Sequence, residues 1–144
     1  MGIRKFLIAA SLAALVLPVA ALADNPTPRA GTVKPAFSHA IPNIPGKSLV
    51  SVVVSYAPGG NSPAHHHAGS AFIYAYVLSG AIRSQVDDGP VRIYRAGESF
   101  FEAPGAHHRV SENASATKPA KLLAVFVVDT DDHVLTIPDT QEGH

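Results

Sequence analysis

From residue 49 to residue 128 the chain alternates short runs of β-branched and aromatic residues with turn residues, and no helical period is found after Val33. That pattern leaves few folds open. An amphipathic helix needs apolar residues every three or four positions, whereas alternation with period two marks a strand with one buried face. Residues 49–56 set Val50, Val52, Val54 and Tyr56 on one such face. Further strands are predicted over 71–78, 81–86, 91–94, 99–102 and 107–111, and over the strongly apolar 122–128, expected to be covered on both faces. Pro58 to Pro63 breaks the first run. Asp87-Asp88-Gly89-Pro90 reads as a hairpin turn, and Ser79-Gly80, Ala96-Gly97 and Pro104-Gly105 mark other corners. Residues 112–118 form a polar loop, and 129–144 an acidic surface segment. Many short strands at this spacing predict an all-β sandwich or barrel, and a jelly roll suits the count.

The 144 residues hold one domain, and the first stretch is read as lying outside it. Arg4 and Lys5 precede an apolar run from Phe6 to Val19, and Ala21-Leu22-Ala23 is a small-x-small site before polar Asp24-Asn25-Pro26. This is the pattern of a secretory signal peptide over 1–23, cut after Ala23, and it predicts an exported, periplasmic protein. The competing reading is an uncleaved anchor, for which the run is at the short limit. Residues 24–32, rich in Pro, Gly and polar groups, read as a flexible lead-in, 33–137 as the domain and 138–144 as a tail. Cleavage would leave nine basic against eleven acidic residues, which favours neither nucleic acid nor an anionic membrane as partner. The sequence contains no cysteine, so no disulfide supports the fold. The apolar 122–128 strand is consistent with a homodimer.

The chemistry concentrates in histidines. On an extended strand His65 and His67 point to one face, about 7 Å apart, while His66 points away. Imidazole is the commonest protein metal ligand. Two such rings, with His108 from a distant strand, make a facial set that leaves coordination positions open, as a catalytic ion requires.

With these residues in view the chain resembles the cupin family. One motif runs from Gly59 through His65-His66-His67 to Tyr76-Val77-Leu78-Ser79-Gly80. A second runs from Gly97 to Ala103-Pro104-Gly105-Ala106-His107-His108, with Glu112 where an asparagine is usual. The resemblance implies a cupin jelly-roll barrel, or double-stranded β-helix, and places His65, His67 and His108 on the three metal histidines. His66 and His107 fall on spacer positions. The carboxylate of the first motif is missing, because Ile73 stands there. That departs from manganese-type, oxalate-metabolising cupins and is similar to three-histidine cupins such as the diketone-cleaving dioxygenases. Those keep a glutamate and an arginine near the metal histidines.

Two residues could meet that need. Period two puts Glu98, Phe100 and Glu102 on one face, and the resemblance turns Phe100 and Glu102 inward. Buried there, Glu102 needs a partner, which the metal, a metal histidine or Arg83 would each supply. Arg83 shares a face with Gln85 and could also balance a substrate anion; the alternative leaves Glu102 at a solvated rim with Arg83 and Gln85 facing outward. Tyr74 and Tyr76 share a face with Phe72 and Leu78 and read as core rather than substrate wall. Asp131, Asp132 and His133 read as a solvated tail. The function expected is a mononuclear metal-dependent oxygenase acting on a small, oxygen-rich chelating substrate. A non-catalytic periplasmic cupin that binds a metal or small ligand is the alternative. The cofactor expected is a divalent transition metal, iron first, with Mn, Ni, Zn or Cu also suited to imidazole ligands.

Overall fold

The computed structural model describes residues 30–139, so the expected signal segment, residues 24–29 and residues 140–144 lie outside it. Every regular element among the described residues is a strand: β1 (Thr32–Ala40), β2 (Lys47–Tyr56), β3 (Asn61–Ser62), β4 (His65–His67), β5 (Phe72–Ser79), β6 (Ala81–Val86), β7 (Arg92–Arg95), β8 (Ser99–Glu102), β9 (His107–Asn113), β10 (Ala120–Asp129) and β11 (Thr136–Pro138). One sheet has the order β1-β2-β10-β5-β8, and the other β11-β4-β9-β6-β7 with β3 beside β9. All named strand pairs are antiparallel. The two sheets wrap one interior, the jelly roll expected for this pattern of strands.

Alternation along β10 builds the floor of that interior. Leu122, Ala124, Phe126 and Val128 are buried, and the intervening Leu123, Val125 and Val127 are half-buried, so coverage of the outer face is partial. On β5 the inner face is Ile73, Ala75 and Val77, all but inaccessible. Ile73 and Val77 each contribute about 1.5–3 kcal/mol through burial, and the methyl of Ala75 about 0.8 kcal/mol. The aromatic row of the same strand faces out, with Phe72, Tyr74 and Leu78 each more than 40% exposed, which corrects the expectation that it is core. Both rows of β5 are apolar, so periodicity alone could not choose between them.

β5 passes to β6 through the single residue Gly80, at φ +71°. A β-carbon there would sit 2.6 Å from the carbonyl oxygen of Pro119, so the connection requires glycine. Three pieces of the sheets were not foreseen. β1 begins at Thr32, inside the expected lead-in, and all nine of its residues are exposed, which leaves no burial pattern to read. β3 lies within the Pro58–Pro63 breaker. β11 pairs with β4 from the segment expected to be surface or tail. The predicted polar loop also starts later than residue 112, because β9 continues to Asn113. The Asn113 amide there donates to the carbonyls of Ala57 and Lys118.

Candidate metal centre

β4 and β9 are antiparallel neighbours in which His65 faces His108 and His66 faces His107. Adjacent pairs along a ladder point to opposite sides of the sheet. The His65–His108 pair therefore turns inward with His67, and the His66–His107 pair turns out. The inward set is compact: ring centroids lie 4.7 Å apart for His65 and His67 and 5.1 Å for His65 and His108. One candidate ligand atom from each of the three rings lies within 4.8 Å of the other two.

Each ring is held by one nitrogen. His65 Nδ1 donates to the carbonyl of Pro63 at 2.7 Å, and His67 Nδ1 to that of Leu135 at 2.8 Å. His108 Nε2 meets the Ser84 hydroxyl at 2.9 Å in a buried contact. A proton on the outer nitrogen leaves the other nitrogen's lone pair free for an ion. The free set is then His65 Nε2, His67 Nε2 and His108 Nδ1.

Glu102 completes the cluster. It ends β8 directly opposite Ile73 of β5, and both side chains are buried. A buried carboxylate thus stands across the ladder from Ile73. Glu102 Oε1 lies 3.1 Å from His108 Nδ1 and Oε2 lies 3.4 Å from His67 Nε2. Oε2 is buried, and at 3.4 Å from His67 Nε2 it has no close hydrogen-bond partner. Burial alone would raise the Glu102 pKa, but contact with His108 and then His67 outweighs it and lowers the group from 4.5 to about 2. Burial lowers His65, partly offset by its bond to Pro63. Burial pulls His67 the same way, yet Glu102 reverses the sign and raises it.

A divalent transition ion fits this set. Three imidazoles with tethered outer nitrogens, an ionised carboxylate and an orphaned buried oxygen are what such an ion satisfies and what a dry core would not tolerate. Beside the cluster is a cavity of about 240 Å³ with largely apolar walls, including Val52, Val54, Ala75, Leu122 and Phe126. Tyr56 stands in the wall with its hydroxyl bonded to Ser62 and Ser111. Gly31 lies against the ring of Tyr56, where a β-carbon would come within 2.5 Å. Residues of the expected lead-in therefore help to close the cavity.

Arg83 is set apart from the cluster. On β6 the inward residues are Ile82 and Ser84, so Arg83 faces outward and pairs with Glu112 at 2.6 Å. Gln85 bonds the carbonyl of Gly89 on the same outer side. The expectation for Arg83 is corrected by alternation, and Ser84 is the residue that β6 gives to the site. Its signal was a small polar residue between Ile82 and Val86 on the apolar face of the strand.

A double-stranded β-helix with an inward cluster of three histidines and one carboxylate is a cupin architecture. The cupin domain family model matches residues 52–126, more than half of the sequence, and the chain belongs to that family. None of the curated protein sequences matches it. Among solved structures it is similar to an uncharacterised double-stranded β-helix protein from Klebsiella pneumoniae, at 18% identity and TM-score 0.60, over 80% of this chain and 90% of that one. It is also similar to a recombinant oxalate oxidase in complex with glycolate, at 24% identity and TM-score 0.55, over 72% of this chain. The DMSP lyase DddQ from Ruegeria pomeroyi matches at 22% identity and TM-score 0.55, over 67% of this chain. The chain spans 53% of that oxidase and 45% of that lyase. At these identities the likeness is one of fold.

Proposed function

We propose that this cupin is a mononuclear metal-dependent oxygenase acting on a small, oxygen-rich substrate that chelates the ion as a monoanion. The observation that carries the reading is Glu102: a buried carboxylate set against the three histidines, with one unpartnered oxygen facing them. His65, His67 and His108 would hold the ion, which supplies Lewis-acid polarisation and a redox partner for dioxygen. Glu102, ionised at neutral pH, balances one unit of the divalent charge, leaving one unit for a substrate anion. No lysine or arginine stands among the described residues lining the cavity. A dianion such as oxalate would find no further cation there, whereas an enolised diketone or hydroxyketone matches the charge. The apolar walls accommodate its hydrocarbon part and exclude water.

Similar folds include proteins named oxalate oxidase and DMSP lyase, which supports an enzyme without choosing the reaction. The test is oxygen uptake by untagged, metal-loaded protein against a panel of diketones, hydroxyketones and oxalate. Uptake with a diketone or hydroxyketone supports the reading. A loaded protein that binds these compounds without consuming oxygen favours the binding-only alternative.

Export to the periplasm is part of the same proposal and rests on residues 1–23; protein recovered from a periplasmic extract should begin at Asp24. A homodimer is supported by the exposed face of Phe72, Tyr74 and Phe101, and sedimentation at monomer mass would oppose it.

A further inference from the structure

The outward histidine pair is not used by the inner cluster. His66 and His107 stack with centroids 4.2 Å apart and planes within 9° on the outer face of the sheet. Asp139, directly after β11, reaches both rings: Oδ1 lies 3.2 Å from His66 Nδ1 and Oδ2 lies 2.7 Å from His107 Nε2. The backbone amide of Asp139 donates to the carbonyl of Ala64, so the carboxylate is anchored by main chain. Ile137 of β11 pairs with His66 of β4 in the ladder, so Asp139 follows a strand that adjoins the one carrying His66, and His107 lies on the next strand.

We propose that His66, His107 and Asp139 form a second, surface site for a borderline-soft divalent ion, zinc being the reference case. Two imidazoles and a carboxylate are a common donor set for such an ion, with bonds of about 2.0–2.2 Å. At that bond length, neighbouring ligand atoms around a tetrahedral ion are about 3.3 Å apart. The two carboxylate–imidazole separations, 3.2 and 2.7 Å, are already near that spacing. All three candidate ligand atoms lie within 4.8 Å of one another, and one imidazole must turn out of the parallel stack so that both ring planes contain the ion. His66 and Asp139 are 47% and 36% exposed in their side chains, which gives the ion access and leaves a position for water. Binding takes the place of the imidazole–carboxylate hydrogen bonds, each ring then carrying its proton on the nitrogen away from the ion. The site lies back to back with the inner cluster and would tie the chain beyond β11 to β4 and β9.

The test uses full-length, untagged protein stripped with a chelator, then dialysed against buffered Zn²⁺ at neutral pH, with zinc per chain measured by mass spectrometry. The wild type is expected to hold one more zinc per chain than a His66→Ala, His107→Ala double variant of unchanged circular dichroism. Asp139→Asn should weaken that additional zinc tenfold or more in a competition titration. Because the quantity read is a difference, it holds whether or not the inner histidines take zinc. Equal zinc content in wild type and double variant overturns the proposal, and so does an Asp139→Asn affinity equal to wild type.

Discussion

Replacing Glu102 by glutamine keeps the shape of the side chain and removes its charge, and the consequence can be worked out for the metal-free protein. The carboxyl is 2% exposed and held at about 2 instead of 4.5 by its contacts with His108 and His67. At about 1.4 kcal/mol per pKa unit, this displacement is worth about 3 kcal/mol of folding free energy. The carboxylate's pKa is depressed, so its stabilisation is present above 4.5 and is lost as pH falls from 4.5 toward 2. His67 is raised above 6.5, so its share is full below 6.5 and is lost as pH rises through its folded value. Glu102 and His67 together are therefore fully stabilising between about pH 4.5 and 6.5, while His65, lowered by burial, opposes them as the pH falls below 6.5. Urea unfolding followed by circular dichroism, from pH 3 to pH 8, measures this in wild type and Glu102→Gln. Other carboxylates titrate in both proteins, so the difference isolates Glu102. The wild-type advantage should shrink by about 2 kcal/mol by pH 3, with most of the remainder lost only near pH 2. Parallel profiles would refute an ionised, histidine-paired Glu102.

Ser84→Ala removes the hydroxyl that holds His108 Nε2, and metal affinity should fall about 10–100-fold in a chelator competition; an unchanged affinity would show that Ser84 does not orient the ring. Arg83→Ala breaks only an outward ion pair with Glu112, so it should cost less than about 1 kcal/mol and leave metal content and oxygen uptake within about twofold. A large loss of uptake with metal content intact would return Arg83 to the site. Gly80→Ala places a β-carbon 2.6 Å from the Pro119 carbonyl at positive φ, and should lower stability by more than about 2 kcal/mol in thermal or urea unfolding.

The inner cluster was largely legible because its residues obey one rule. Alternation separates His65 and His67 from His66, and the same rule turns Phe100 and Glu102 inward together, as both prove to be buried. The choice of His108 over His107 came from the motif, and the ladder pairing His65 with His108 agrees with it. The errors arose where alternation has two readings. β5 carries apolar residues on both faces, so the buried row Ile73, Ala75 and Val77 could not be told from the aromatic row. On β6 the polar pair Arg83 and Gln85 competes with Ile82, Ser84 and Val86 for the inner face, and the apolar face with one small polar residue is the stronger sign of the interior. Other features depend on contacts distant in sequence. Neither the Leu135 carbonyl that holds His67 nor Asp139 beside His66 and His107 is marked by a local pattern, because β11 has three residues, all exposed.

The central claim is that His65, His67 and His108 hold one divalent transition ion beside Glu102. Anomalous diffraction at the metal edge, from crystals of untagged protein loaded with iron or manganese, tests it most directly. The account predicts a peak inside the barrel, about 2.0–2.3 Å from the inward nitrogens of all three histidines and next to Glu102 Oε2. Loaded crystals with no peak at that position, or with one that His108 does not reach, would contradict it.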